Sequence, residues 1–272
     1  MKASQSRLEA WEGCKRKYYY TYEEEIMGKG ASLSAHRGNA IHAGLAAHYG
    51  GQNHGQIFKI FHDYMEKFPG EKDEEWETEG TLWAGVLARY RDSHQEEPFE
   101  ILGIEETVER QIRGQHSLEG ILDLRVRMKR DGEIWVVDHK TASRTGAGWW
   151  PQWFVSKQLT QYQWLVPEAR GVILNVLKPT KTECFEREGF TRTQEQIEDF
   201  LIQTQWECEE MESAHGEKRW VGDNREKLQE VKARLFPQAT QHCHSWGRTC
   251  VFLPLCQGGE AARPLYIPRE KR

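Results

Sequence analysis

The stretch 134-IWVVDHKTAS-143 sets an apolar run, Ile134 to Val137, directly against Asp138-His139-Lys140. Three β-branched residues and a tryptophan in four positions read as a buried strand. A carboxylate and an ammonium at its end lose hydration unless something compensates them. Just upstream, Asp131-Gly132 is a hairpin signal, and residues 118–128 alternate. Leu118, Gly120, Leu122, Leu124, Val126 and Met128 fall on one side, and Glu119, Asp123, Arg125, Arg127 and Lys129 mostly on the other. The two segments therefore predict an antiparallel hairpin. With Asp131-Gly132 as a two-residue loop, Asp123 lies opposite Lys140 and Arg125 opposite Asp138. With the loop centred one residue earlier, Asp123 faces Asp138. Either register puts Asp123, Asp138 and Lys140 on one face, because side chains alternate with period two. The other face collects Leu122, Leu124, Val126, Trp135 and Val137.

Two acids held that close repel unless a cation sits between them. A hard divalent ion such as Mg²⁺ or Mn²⁺ takes oxygen ligands of this kind. A lysine beside it serves an attacking water or balances charge on a phosphate. The bland alternative is a surface ion pair at a strand end. A lone D-x-K favours that reading, and Asp123 in register weakens it.

Working outward, Ser6-Arg7-Leu8-Glu9 has the pattern of a capping box, predicting a short helix from about there through Cys14. A Gly/Ser-containing stretch, 28–34, precedes a second predicted helix, 35–49, with apolar Ile41, Leu45 and Tyr49. Phe58, Phe61, Tyr64, Met65 and Phe68 recur at helical spacing, as do Leu82, Trp83, Val86, Leu87 and Tyr90. Residues 99–113 read as strand, 150–166 as a Trp-rich helix, 171–178 and 182–190 as strands. Residues 193–212 read as a long helix with Thr193 as cap. The C-terminal 60 residues read as irregular. The order predicts an α/β (α+β) fold in which a central mixed sheet is flanked by helices. One domain is expected over 1–272: a helical part to 98, a sheet core over 99–192, and a C-terminal segment from 193.

The chain has 272 residues, 38% hydrophobic and 29% charged, with a formal charge of −5. These values fit a globular protein and exclude a dedicated polycation, though not a local basic groove. No apolar run reaches membrane-span length and no signal peptide opens the chain, so the cytoplasm is the expected compartment. Three of the six cysteines fall in the last 30 residues, which in a reducing compartment suggests a metal site before disulfides.

The motifs in order resemble the PD-(D/E)XK nuclease superfamily, specifically its RecB-like branch with an iron–sulfur cluster, which includes the CRISPR adaptation nucleases and many phage exonucleases. Gly120-Ile121-Leu122-Asp123 matches G-x-x-D, and Asp138-His139-Lys140 matches D/E-x-K. Gly38-Asn39-Ala40-Ile41-His42 matches the upstream G-x-x-x-H, and Gln158-Leu159-Thr160-Gln161-Tyr162 matches Q-x-x-x-Y. Glu105 fits a glutamate on the first sheet strand, with Glu106 as the other choice. The resemblance implies that Asp123, Asp138, the His139 carbonyl and His42 hold a metal. It implies that Lys140 serves the attacking water, and that Gln158 and Tyr162, one helical turn apart, support the site or contact the DNA backbone.

The same branch carries a [4Fe–4S] cluster on one N-terminal and three C-terminal cysteines. Cys14, Cys243, Cys250 and Cys256 fit that arrangement, with Lys15 standing where the family usually has proline. Tetrahedral zinc is the rival, although the C-x-x-C pairs usual for zinc are missing. Cys184 and Cys208 read as packing residues. The resemblance implies a metal-dependent deoxyribonuclease, an exonuclease before an endonuclease, on single-stranded DNA or DNA ends. Lys15-Arg16-Lys17 and the tyrosines after them are candidate strand contacts. Recombination, repair, replication or CRISPR partner proteins are conceivable. The other reading is a DNA-binding or assembly subunit without catalysis, against which the intact Asp123/Asp138/Lys140 set argues.

Overall fold

The protein's structure, a computed structural model, describes every residue except 30–31, 144, 181–183, 223, 246–247 and 270–272. The chain falls into two compact units. One is assembled from Met1–Gly30, Gln111–Leu118 and Leu201–Arg272, the other from Ala31–Arg110 and Glu119–Phe200.

In chain order, the discontinuous unit opens with β1 (Lys2–Ser4), α1 (Gln5–Gly13), α2 (Lys15–Tyr18), a π-helical turn (Tyr19–Glu23) and β2 (Ile26–Gly28). Then come α3 (Leu33–Tyr49), α4 (His54–Glu66), α5 (Glu74–Ser93), β3 (Phe99–Ile112), β4 (His116–Met128), β5 (Ile134–Thr141), a 3₁₀ turn (Pro151–Val155), α6 (Lys157–Leu165), β6 (Ala169–Leu177) and β7 (Phe185–Phe190). The rest is α7 (Gln194–Val221), α8 (Arg225–Leu235), a 3₁₀ turn (Thr240–His242), β8 (His244–Ser245), β9 (Arg248–Thr249), α9 (Leu253–Gly258), a 3₁₀ segment (Gly259–Leu265) and β10 (Tyr266–Pro268).

The fold is mixed α/β around a mixed sheet. β3 pairs with β4, β4 with β5 antiparallel, β5 with β6 parallel and β6 with β7 antiparallel. The parallel step needs a crossover, which α6 provides. Apolar residues of α3, α4 and α5 (Ile41, Leu45, Phe61, Trp83, Leu87, Tyr90) pack on Leu124, Val126, Val137 and Leu177 of the sheet. Val136, Val172, Leu174 and Val176 are also fully buried, so the central strands read as near-continuous apolar runs rather than alternating ones.

The hairpin adopts the second of the two registers predicted from sequence. Leu124 pairs with Val137 and Arg127 with Ile134. The Met128 N–H donates to the Glu133 carbonyl at 2.8 Å, leaving Lys129–Gly132 as the connection, with Gly132 at φ 75°. Beyond Leu124/Val137, Asp123 turns its Oδ2 to the His139 backbone N–H.

Several local expectations are corrected. The N-cap of α1 is Ser4, not Ser6, and it makes no side-chain cap bond. The helix predicted over 150–166 divides at Ser156, whose Oγ accepts from the Leu159 N–H and starts α6 afresh. In α4 the buried face is Ile57, Phe61 and Met65, while Leu82 of α5 is exposed. α7 runs on to Val221, and α8 and α9 occupy the segment expected to be irregular. Thr193 does cap α7, its Oγ1 accepting from the Gln196 N–H. Cys184 and Cys208 are buried free thiols. Within the predicted strand 182–190, residues 182–183 lie outside the described residues, as do 30–31 of the Gly/Ser stretch.

Candidate active site

Gly120 explains how α6 reaches the sheet. A Cβ there would meet Leu165 Cδ1 at 2.8 Å and Tyr162 Cε1 at 3.2 Å, so glycine lets the helix lie this close to β4 without displacing either side chain. Gln161, fully buried, ties the contact by donating to the Glu119 carbonyl at 2.9 Å. Gln158 and Tyr162 thereby come over the strand ends. Gln158 Nε2 donates to the Tyr162 hydroxyl at 3.0 Å, and Gln158 Oε1 accepts from Lys140 Nζ at 3.0 Å.

Asp123 and Asp138 are both buried at these ends. Asp123 Oδ2 accepts the His139 backbone N–H at 2.6 Å, and its Oδ1 accepts from His42 Nδ1 at 3.1 Å. Asp138 Oδ2 ion-pairs with Lys140 Nζ at 2.8 Å. One ligand atom each from His42, Glu105 and Asp123 lies within 4.8 Å of the others, a group able to hold a metal ion. Glu105 adopts φ 49°, a left-handed conformation rare for a residue with a Cβ and one that recurs at functional sites. Glu106, the other candidate, is engaged elsewhere: Arg125 grips it with Nε at 2.9 Å and Nη2 at 3.0 Å.

The electrostatics separate the two acids. Burial raises the Asp123 carboxyl, but the His42 hydrogen bond and charge, with the His139 N–H, outweigh it and bring the pKa to about 2. Asp138 is raised, chiefly by burial and by Asp123, against the pull of Lys140. Burial also raises Glu105, with Asp123 adding to the rise. His42 is raised: burial opposes, and Asp123 and Asp138 prevail. The pocket therefore concentrates more negative charge than Lys140 and His42 neutralise, the condition under which a divalent cation binds.

The structure also shows a network that the sequence reading missed. Arg187 grips Glu97 through Nη1 (2.6 Å) and Nη2 (2.7 Å), and donates from Nε to Asn175 Oδ1 at 2.9 Å. Arginine only donates, so this bond fixes the orientation of the Asn175 amide. Asn175 Nδ2 then donates to the Tyr90 hydroxyl at 3.0 Å and to His139 Nδ1 at 2.8 Å. His139 Nδ1 is thus an acceptor and the ring proton sits on Nε2. Burial, with the nearby charges, brings the imidazole pKa down to about 3, so it is neutral. The Tyr49 ring stacks on it at 5.7 Å. One trace was visible in sequence: Asn175 is a lone polar residue inside the apolar run 171-GVILNVLK-178, and a fully buried amide needs partners.

In the discontinuous unit, Ala239 N–H approaches Cys14 Sγ at 3.5 Å and the Cys250 N–H donates to the Cys243 carbonyl at 2.8 Å. Burial raises the Cys256 thiol; Arg16 opposes this, while Cys14, Cys250 and Cys243 add to the rise. The four cysteines thus share one electrostatic neighbourhood. Arg16 holds the segments together, donating to the carbonyls of Phe236 (2.7 Å) and Lys232 (3.1 Å). Lys15 is bound to Glu210 at 3.1 Å.

A family model described as PD-(D/E)XK nuclease superfamily matches residues 2–257. No curated protein matches. Among solved structures, the crystal structure of SSO0001 is similar at a TM-score of 0.38 and 14% identity, over 76% of this chain and 75% of that one.

Proposed function

Since the chain belongs to the PD-(D/E)XK nuclease superfamily, whose members are metal-dependent nucleases, we propose that it is a Mg²⁺- or Mn²⁺-dependent deoxyribonuclease of the RecB-like branch. In this reading it works as an exonuclease on single-stranded DNA or DNA ends. The observation that carries the proposal is Asp123 Oδ2 bound to the His139 backbone N–H at 2.6 Å, with Asp138 one residue before it and 2.8 Å from Lys140 Nζ.

The donor set fits a hard divalent ion. His42, Glu105 and Asp123 each place one ligand atom within 4.8 Å of the others, and Asp138 and the His139 carbonyl are proposed to join them. When bound, such an ion stabilises charge developing on a phosphodiester and favours ionisation of water. The side chains around it hold positions. Lys140, fixed between Asp138 and Gln158, keeps its ammonium where a proton is exchanged with the attacking water or where phosphate charge is balanced. Tyr162 orients Gln158 through their mutual bond. Burial keeps the Tyr162 hydroxyl protonated and hence a donor.

Cys14, Cys243, Cys250 and Cys256 are proposed to bind a [4Fe–4S] cluster, supported by the other three lying near enough to raise the Cys256 thiol. Protein purified without air is then brown and contains iron and acid-labile sulfide. Colourless protein containing zinc instead overturns this assignment.

The test of the main reading uses purified protein with single- and double-stranded DNA labelled at each end, with Mg²⁺ or Mn²⁺, beside Asp138→Ala. Metal-dependent release from one end, lost in the variant, is the expected result. DNA retained but left uncut by the unsubstituted protein favours a binding or assembly subunit.

A further inference from the structure

Between the D-x-K and Q-x-x-x-Y motifs the composition departs from the rest of the chain. Residues 139–167 contain no Asp or Glu, in a protein with 42 of them in 272 residues. The same stretch holds Trp149, Trp150, Trp153 and Phe154. These rings form a continuous run that begins at the candidate active site. Lys140 Nζ lies 5.7 Å from the Trp153 ring centroid. Trp153 meets Trp149 at 5.3 Å, Trp149 meets Trp150 edge-on at 4.7 Å, and Trp150 stacks on buried Phe190 at 6.4 Å. Phe154, 57% exposed, closes the run against Phe190 at 5.0 Å. Val155 beside it is 82% exposed.

Arg192 fixes this run and leaves a charge there. Its Nη2 donates to the Trp153 carbonyl at 2.8 Å, its Nε to Thr160 Oγ1 at 2.9 Å and its Nη1 to the Thr191 carbonyl at 3.1 Å. Every one of these acceptors is neutral. Among the described residues no carboxylate pairs with this guanidinium, and burial alone lowers its pKa. A half-buried aromatic run ending in exposed Phe154, held by an arginine with no carboxylate partner among the described residues, suits a ligand with flat apolar faces and a negative backbone.

Building on the nuclease reading, we propose that the Trp149–Val155 segment is a stacking platform for unpaired nucleobases, with Arg192 facing the strand's phosphates, and that it leads a single strand toward Lys140. Every base has a π-face, so the platform selects unpaired over paired DNA without selecting sequence. A duplex keeps its bases stacked internally and offers only phosphates.

The test measures binding in Ca²⁺, as quenching of tryptophan fluorescence, for a single-stranded oligonucleotide, the same length of abasic strand, and a duplex. The unsubstituted protein is expected to prefer the normal strand to the abasic one by about tenfold or more, the order of one or two base–aromatic stacks. Phe154→Ala and Trp149→Ala are expected to lose most of that preference, and Phe154→Trp to keep it. Equal affinity for normal and abasic strands, or full preference in both alanine variants at unchanged melting temperature, overturns the platform. The nuclease reading fails separately: the end-label assay with Mn²⁺ tests cleavage whether or not bases stack.

Discussion

Lys140 and Asp138 are neighbours with opposite problems. Asp138 is buried, its carboxyl is raised by burial, and Lys140 is its ion-pair partner. Replacing Lys140 by alanine removes that counter-charge, and the carboxyl answers by taking a proton rather than by unfolding the strand end. Lys140→Ala is therefore expected to abolish cleavage with an unchanged far-UV spectrum and nearly unchanged melting temperature. Near-normal turnover would count against the lysine's role. Asp138→Asn separates stability from function. A folded-state pKa above the unfolded value means that ionised Asp138 opposes folding once the pH exceeds the ordinary carboxylate range. In EDTA at neutral pH the asparagine variant should melt higher than the unsubstituted protein. Mn²⁺ should raise the melting temperature of the unsubstituted protein and leave the variant's unmoved. A variant still stabilised by Mn²⁺ would remove Asp138 from the ligand set.

At the level of elements, the crossing of β6 and β7 by Arg187 and Asn175 is the most demanding feature. Arg187→Met leaves Glu97 without its cation and Asn175 Oδ1 without a donor. Stripping one partner from a buried pair costs about 3–5 kcal/mol. Denaturant unfolding should show a loss of this size, with Arg187→Lys recovering part of it, because an ammonium cannot repeat the two-pronged grip. A loss below about 1 kcal/mol would show that water replaces the network. None of this was legible in the sequence beyond the odd placement of Asn175. The network joins α3, α5, β5, β6, β7 and the segment before β3, and residues so dispersed leave no period. The hairpin was legible, because alternation and a turn signal act locally. Its register was open between two choices, since both satisfy the same faces. Gly120, Gln158 and Tyr162 were visible as a pattern, but the close approach of α6 that explains Gly120 is a tertiary fact.

Across the molecule, the discontinuous unit depends on distant ion pairs. Glu23, in the π-helical turn, is bound by His215 Nε2 at 2.9 Å and Lys218 Nζ at 2.7 Å of α7. Burial raises its carboxyl, but these two partners outweigh burial and bring the pKa to about 2. A depressed folded-state pKa contributes stability above the ordinary glutamate value, lost as the pH falls toward 2. Melting temperature should decline through this window, from about pH 4.5 downward, and Glu23→Gln should flatten the decline. An identical pH profile in the variant would show that other carboxylates govern acid unfolding. Helical turns in the C-terminal region were missed from sequence because α8 is strongly polar and only Val231 of it is buried.

The order in which the two units become possible follows from how they divide the chain. The unit carrying Asp123, Asp138 and Lys140 is encoded in full by residue 200. The cluster proposed on Cys14 must wait for Cys243, Cys250 and Cys256, more than two hundred residues later. During synthesis at roughly 5–20 residues per second, that is a delay on the order of ten seconds or more with an unpartnered thiol. The unit proposed to cut DNA can thus form on the ribosome before the last segment of its companion has been made.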